Sequence, residues 1–336
     1  MPKSNWLLVG GETLLGKEIQ DLLAERHLPV TLTLASAELE SRVITSDDDD
    51  LAVIAPLDDA AVRSASVILL GASSEVNRQA VALASALAHR PALVDLYGDF
   101  ENLPESCVRA PILEAEGSRF EHGALHVMAH PAAVALGRLL TLIHAAHPVR
   151  RSLVTIFEPA SQLGREGIGE LHQQTISLFA FKPLPKRMFD AQVSFNLLPR
   201  YGDEAKSSLA ASERRIESHL VSLLGAGCVP LPSIRLVHAP VFHGYCQSAW
   251  IEFESRPSEE TLLALLSGAG VDARGFDTEP ASNVAIVGQS GIAVSDIRED
   301  HSDARAAWLW LASDNLRTTA ENAVMTAGLL DLEENR

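Results

Sequence analysis

A doubly wound α/β sheet followed by a mixed α+β half is the fold class this sequence predicts, and three observations predict it. The apolar run from Leu7 to Val9 ends at Gly10 and Gly11, and an amphipathic stretch from Leu14 to Leu23 follows, which reads as strand, tight turn and helix. The same unit recurs where Ser66 to Leu70 runs into Gly71-Ala72-Ser73-Ser74 and then into the helical spacing of Val76 to Leu87. Beyond Ser152, short β-rich runs succeed one another too closely for a helix between every pair.

The elements follow in order. Thr31 to Ala35 is a second strand, the acidic run Asp47 to Asp50 is a solvated polar loop, and Ala92 to Leu96 is a further strand. The first 130 residues therefore alternate βαβαβ, the pattern of a mostly parallel sheet with helices on both faces. Ligands of such sheets sit at the carboxyl ends of the strands, which puts Gly10 to Thr13, Ser36 and Gly71 to Ser74 on one rim. In the second half, strands are expected at Ser152 to Phe157, Ile234 to His238, Ser248 to Glu254, Val284 to Val287, Ile292 to Ile297 and Ala307 to Leu311. Helices are expected at Gly167 to Phe179 and Ser208 to Leu224, giving a largely antiparallel sheet. Asp314 to Leu332 is Ala- and Leu-rich and has helical spacing.

Composition narrows the classes of function. A chain of 336 residues is long for one core, so two domains are expected. A net charge of −17 argues against nucleic acid and anionic membrane surfaces, because phosphate contacts rely on Lys and Arg. No stretch reaches the roughly 20 apolar residues of a membrane span, and the opening residues lack a signal peptide's apolar core, so a cytoplasmic protein is expected. Cys107, Cys228 and Cys246 are too few and too scattered for a disulfide framework or a zinc knuckle, and reduced thiols are expected.

In a dinucleotide-binding turn the first glycine bends the chain, the second lets the pyrophosphate approach, and the third lets the helix pack on the strand. Gly10 and Gly16 fit the outer positions, whereas Thr13 stands where the middle glycine belongs. Phosphate binding and simple strand–helix packing both fit this pattern.

Further along, the glycine turn, the small-residue turn, Ser194-Phe195-Asn196-Leu197-Leu198-Pro199, Ala239-Pro240-Val241-Phe242 and Ser313-Asp314-Asn315-Leu316 occur in an order that resembles the aspartate-semialdehyde dehydrogenase family over nearly the whole chain. Leu163-Gly164-Arg165-Glu166-Gly167 and Ala211-Ser212-Glu213-Arg214-Arg215-Ile216 extend the resemblance to the Usg-1-like paralogues of that enzyme. The resemblance implies a Rossmann-type dinucleotide domain over 1–130, completed by a terminal helix at 314–336, and a catalytic and dimerisation domain over 131–313. It also implies a homodimer. The positions it would bring to a dinucleotide are Gly10, Thr13, Leu14, Gly16, Ser36, Gly71, Ser73 and Asn322.

Enzymes of that family reduce an acyl phosphate with NADPH through a cysteine thioester at the start of the second domain's leading helix, where a thiolate is both nucleophile and leaving group. This chain has Ala129-His130-Pro131-Ala132-Ala133-Val134, and the nucleophile position falls on Ala132 or Ala133 according to how Pro131 is matched. The acid/base histidine falls on Tyr245, a poor base at its ordinary pKa. The carboxylate-binding arginine falls on His238, which lacks arginine's charged bidentate fork. The glutamine position falls on Glu158, the phosphate-gripping arginine on Glu101 and a substrate lysine on Leu209. Glu213, Asn196 and Asn322 are the retained polar positions, and His130, Glu213 and His238 are the groups expected along a substrate cleft.

Each of these residues also has a plain structural reading. Asn196 and Asn322 suit backbone capping, Glu213 a solvated helix face, and Cys246 a small buried filler. His243, two residues before Tyr245, and Cys246, next to it, are the possible substitutes for the missing groups. The spacing of His130, His238 and His243 gives no metal motif, and no metal is expected.

Two functions of different class follow. One is a family member without phosphorylating dehydrogenase activity that serves as a binding or regulatory protein, with a small molecule or a protein as partner. The other is an active NAD(P)-dependent oxidoreductase with a changed substrate and a non-thioester mechanism. In the family, Ala-Ser followed by Arg-Ser holds the 2′-phosphate of NADP, and here Ala35-Ser36-Ala37-Glu38 puts a carboxylate at the arginine. No dinucleotide or weak binding is therefore expected, with NAD preferred over NADP.

Overall fold

The computed structural model describes residues 4–36, 42–45, 51–114, 124–225 and 229–334. The chain divides into two compact units, Met1–Ala129 with Thr319–Arg336, and His130–Thr318.

In chain order the elements of the first unit are β1 (Ser4–Val9), α1 (Leu14–Glu25), β2 (Val30–Ser36), β3 (Arg42–Thr45), β4 (Leu51–Pro56), α2 (Asp59–Ser64), β5 (Val67–Leu70), α3 (Ser74–Ser85), β6 (Ala92–Asp95), β7 (Ser106–Arg109) and β8 (Leu125–Met128). Among the described residues they build an eight-stranded sheet in the order β3-β4-β2-β1-β5-β6-β8-β7. It is parallel throughout except for the edge pair β3 and β4. Fully buried Leu7, Val9, Ile68 and Leu70 anchor its core, as expected of strands covered on both faces.

The turn after β1 shows why its glycines are needed. Gly10 has φ +88°, and a Cβ there would lie 2.5 Å from the Gly71 carbonyl oxygen, so the turns after β1 and β5 touch backbone to backbone. A Cβ on Gly16 would collide with the Gly10 carbonyl and come within 2.9 Å of Gly11 Cα, so α1 crosses β1 with no room for a side chain. Thr13 caps α1, accepting from the Gly16 N–H at 3.0 Å and donating to the Gly10 carbonyl at 2.9 Å.

The second unit runs α4 (Pro131–Ala146), β9 (Val149–Glu158), a short 3-10 turn (Ala160–Leu163), α5 (Gly164–Phe179), α6 (Leu209–Leu224), β10 (Ser233–His238), β11 (Tyr245–Phe253), α7 (Glu259–Gly268), β12 (Asp272–Ala273), β13 (Ala293–Glu299) and β14 (Ala306–Ser313). Its six-stranded sheet has the order β10-β9-β11-β14-β13-β12. The inner pairs are antiparallel, and the edge pairs β10/β9 and β12/β13 are parallel. Alternation along β11 sends Tyr245, Ala249 and Ile251 into the core beneath the helices and Cys246 to the opposite face.

The last helix, α8 (Asn315–Glu334), begins in the second unit and from Thr319 belongs to the first. Asp331 accepts from the Trp6 indole and from Ser66 Oγ, and Glu321 pairs with Arg26, so this helix closes the sheet of the first unit. No helix among the described residues is long and apolar enough to cross a membrane.

One expected strand is absent. Val284 to Val287 is a run of turns, held by Ile286 N–H to Ser282 O and by Gln289 N–H to Ile286 O. Its β-branched residues mislead because Ile286 alone packs inward, while Val284 and Val287 face solvent. The acidic run Asp47 to Asp50, together with Ala37 and Glu38, lies outside the described residues.

The close approach at Gly16 gives a direct test. Gly16→Ala should destabilise the chain by about 1–3 kcal/mol in urea unfolding, as overpacking does. Unchanged stability would contradict the packing of α1 on the turn.

Candidate active site

In the first unit the carboxyl ends of β1, β2 and β5 lie side by side, so Gly10, Thr13, Leu14, Ser36, Gly71 and Ser73 share one rim. Thr13 Oγ1 is occupied within its own turn. The small-residue turn after β5 is tied from below: Asn77 accepts from the Ala72 N–H at 3.1 Å and donates to Asp99 at 2.7 Å, and Ser74 also bonds Asp99. Asn322 lies buried on α8. Glu12, Glu75, Asp99 and Glu101 stand in or beside the turns after β1, β5 and β6, and no Lys or Arg occupies residues 10–13, 71–75 or 96–105.

The second unit begins at the N-terminus of α4. His130 is its cap: the imidazole Nδ1 accepts from the Ala132 N–H at 3.3 Å, while the His130 N–H donates to His219 Nδ1 at 2.8 Å. Pro131 opens the helix, as suits a position with no intrahelical acceptor for an N–H. Ala132 and Ala133 follow in the first turn, both fully buried, and the Ala132 carbonyl accepts from Gln247 Nε2 at 3.1 Å. Burial, Arg215 and His219 hold the His130 pKa well below its ordinary value, so this cap is a neutral ring.

The ends of β9, β10 and β11 converge on a buried polar cluster. Glu158 and His238 are register partners at the ends of β9 and β10, and Tyr245 starts β11. Tyr245 donates to Glu158 Oε2 at 3.2 Å, and Tyr201 donates to Oε1 at 3.1 Å. Tyr201 Oη also lies 3.1 Å from His238 Nδ1. Phe189 packs on Tyr201 and His238 with ring centroids 5.2 and 5.0 Å away, and the edge of His130 meets Tyr245 at 5.7 Å. Burial raises the Glu158 carboxyl to about 7 against the lowering pull of the two tyrosines, and it drops His238 to about 4. Both tyrosines are pushed upward, by burial first and then by Glu158. The cluster therefore holds a protonatable carboxyl and no fixed cation in its hydrogen-bond chain.

These positions bring together five residues the sequence singled out: His130, Ala132, Glu158, His238 and Tyr245. Others lie elsewhere. His243 precedes the strand, and Gly244, at φ +80°, turns the chain between it and Tyr245, so strand alternation does not carry it to that face. Cys246 packs with Ala281, Ile286, Ala293 and Ala312 on the other face, and burial pushes its thiol up to about 11. Glu213 reaches β10, accepting the Leu236 N–H at 2.7 Å with Arg235 at 3.9 Å. Asn196 bonds the Gln192 carbonyl, and Leu209 is core. Asp314 and Asn315 cap and tie: Asp314 accepts from Gly288, Leu316 and Arg317 N–H groups, and Asn315 accepts from Ser161 and Gly244. Among the described residues, no three His, Cys, Asp or Glu side chains form a metal site.

Three members of the site, Tyr201, Gln247 and His219, escaped sequence reasoning, and Arg215 entered it only within the Ala211-to-Ile216 element. Tyr201 lies two residues past the Phe195-to-Pro199 element, Gln247 one inward position beyond Tyr245, and Arg215 and His219 stand one turn apart on α6. The strand alternation from Tyr245 was the available signal for Gln247, and none marked Tyr201.

The architecture defines an α/β protein with a doubly wound unit and a mixed-sheet unit. Residues 139–318 match the family described as semialdehyde dehydrogenase, dimerisation domain. An Azotobacter vinelandii USG-1 protein homolog is 31% identical over 98% of this chain and 98% of its own length. The aspartate-semialdehyde dehydrogenase of Rickettsia bellii is 28% identical over 97% of each chain. A Pseudomonas aeruginosa structure described as a probable aspartate-semialdehyde dehydrogenase superposes with a TM-score of 0.84 at 27% identity, covering 98% of both chains. The chain belongs to the aspartate-semialdehyde dehydrogenase family.

The buried carboxyl has a measurable signature. Folded Glu158 keeps its proton up to about pH 7, while an unfolded glutamate loses it near 4.5. Stability should therefore fall as pH rises through that window and level off above it. Relative to Glu158→Gln, the wild-type chain should lose about 3 kcal/mol of unfolding free energy across it. A pH-independent difference between the two proteins would contradict the burial of this carboxyl without a cation in its hydrogen-bond chain.

Proposed function

We propose that this chain is a family member that makes no thioester and no longer acts as a phosphorylating semialdehyde dehydrogenase, and that it serves as a homodimeric binding or regulatory protein of the cytoplasm. The observation that carries this reading is the first turn of α4, where Ala132 and Ala133 present methyl groups and no described thiol replaces them. Cys246 is on the wrong face with a strongly raised pKa, Cys107 is on β7 of the first unit, and Cys228 lies outside the described residues. An alanine offers no lone pair to attack a carbonyl, and a thiol pushed to about 11 is almost entirely protonated at neutral pH.

The remaining groups support the same reading. His238, where the family resemblance places an arginine, is neutral and engaged with Tyr201, so a substrate carboxylate finds no charged fork there. Tyr245, the proton donor required by a non-thioester hydride transfer, is fully buried and gives its hydrogen to Glu158. Homodimerisation is supported by the match to the dimerisation domain.

The charge of the turns in the first unit does not favour the phosphates of a dinucleotide. The turns after β1, β5 and β6 carry Glu12, Glu75 and Asp99, with no Lys or Arg among residues 10–13, 71–75 or 96–105, and like charges repel a phosphate. No dinucleotide or weak binding follows from that charge, and NAD ranks ahead of NADP because Glu38 stands where the family resemblance places an arginine.

Purified protein should show no phosphate-dependent oxidation of aspartate semialdehyde with NAD or NADP. Ala132→Cys and Ala133→Cys should fail to restore it, because the charged substrate groups are missing as well. Clear turnover by the unmodified chain would sink the reading. In calorimetric titration NADP should bind no more tightly than NAD, and the reverse order at micromolar level would overturn the charge argument.

A further inference from the structure

The hydrogens around Glu158 can be counted. Three contacts join four side chains: Tyr245 to Glu158 Oε2, Tyr201 to Glu158 Oε1, and Tyr201 to His238 Nδ1, at 3.2, 3.1 and 3.1 Å. Each contact uses one hydrogen. With Glu158 ionised, both tyrosines donate to the carboxylate, so Tyr201 Oη accepts from His238 Nδ1–H and His238 Nε2 keeps a bare lone pair. With Glu158 protonated, the extra hydrogen has two places to go. On Oε2 it would turn Tyr245 into an acceptor and leave the tyrosine's own hydrogen without a partner. On Oε1 it donates to Tyr201, whose hydrogen then turns to His238 Nδ1, and the histidine carries its hydrogen on Nε2. The second arrangement keeps all three bonds.

We propose that His238, Tyr201 and Glu158 form a proton relay in which a proton taken up at His238 Nε2 ends on Glu158 and converts the histidine from its Nδ1–H to its Nε2–H tautomer. The bookkeeping closes: an Nε2–H bond forms as an O–H bond of hydronium breaks and water is released, Nδ1–H passes its hydrogen to Tyr201 Oη, and the Tyr201 hydroxyl passes its own to Glu158 Oε1. No electrons are exchanged, and the cluster goes from one negative charge to neutral.

An independent observation marks the far end of the relay: His238 Nε2 is buried and has no hydrogen-bond partner. A group placed against it meets an acceptor while Glu158 is ionised and a donor once Glu158 is protonated. Glu158 titrates at about 7 while His238 stays neutral down to about 4, so the two forms exchange near neutral pH without an imidazolium. The other titratable groups near the cluster are Tyr245 from β11, His130 from the α4 cap, and Arg215 and His219 from α6. The relay belongs to the second unit by itself and stands whether or not thioester chemistry has been lost.

The test is nitrogen NMR of the full chain labelled with 15N-histidine, with the His238 signals assigned by comparison with His238→Gln. On raising the pH through neutrality, the two ring nitrogens of His238 should exchange their protonated and unprotonated shift ranges with a midpoint of about 7. The exchange should vanish in Tyr201→Phe and in Glu158→Gln. A single tautomer throughout, a doubly protonated ring in that range, or an exchange that survives Tyr201→Phe would overturn the relay. Should Tyr201→Phe not fold, the wild-type titration and Glu158→Gln decide the matter.

Discussion

The second unit is organised around a carboxyl group that has no cation in its hydrogen-bond chain. Glu158 is buried at the end of β9, and an ionised carboxylate in such a place is costly unless its oxygens are fully hydrogen-bonded. Two tyrosine hydroxyls meet that demand from opposite sides, and each fixes a different part of the chain. Tyr245 sets the first residue of β11, and Tyr201 fixes the segment that leads into α6. His238 completes the chain from β10, and Phe189 covers both Tyr201 and His238. The result is a polar cluster satisfied almost entirely by its own members, which is how buried networks become rigid and specific.

That self-sufficiency supports the proposed loss of phosphorylating dehydrogenase activity. Side chains that hold a carboxylate or phosphate must keep their donors free. Here His238 bonds Tyr201, and Tyr245 bonds Glu158. The α4 N-terminus is likewise capped by its own His130, with Gln247 holding the Ala132 carbonyl. In the first unit, Thr13 closes its own turn, and backbone contacts by themselves require the glycines flanking it. Packing would hold the glycine turn with or without a ligand.

Much of the first unit was legible because strand, turn and helix repeat with clean periodicity at Leu7 to Leu23 and Ser66 to Leu87. The helix α4 was harder to read: its residues from Pro131 to Leu136 are all buried, so no amphipathic stripe marks it. Val284 to Val287 misled for the opposite reason, since β-branched residues there lack a partner strand. In the site, Glu158, His238 and Tyr245 were found through short elements next to them. Tyr201 was not, because its role depends on a chain reversal that brings residue 201 to β9 and β10, and no local pattern encodes that meeting. Cys246 shows how much one position matters: adjacent to Tyr245 in sequence, it faces the other side of the sheet.

The claim that no covalent acyl-enzyme forms is tested most directly by intact-mass spectrometry of the chain after incubation with aspartate semialdehyde and either NAD or NADP. The mass should stay that of the unmodified polypeptide. A hydroxylamine-sensitive acyl adduct that disappears in Cys246→Ser would contradict the account, because it would put a working thiolate where the fold places a buried, protonated thiol.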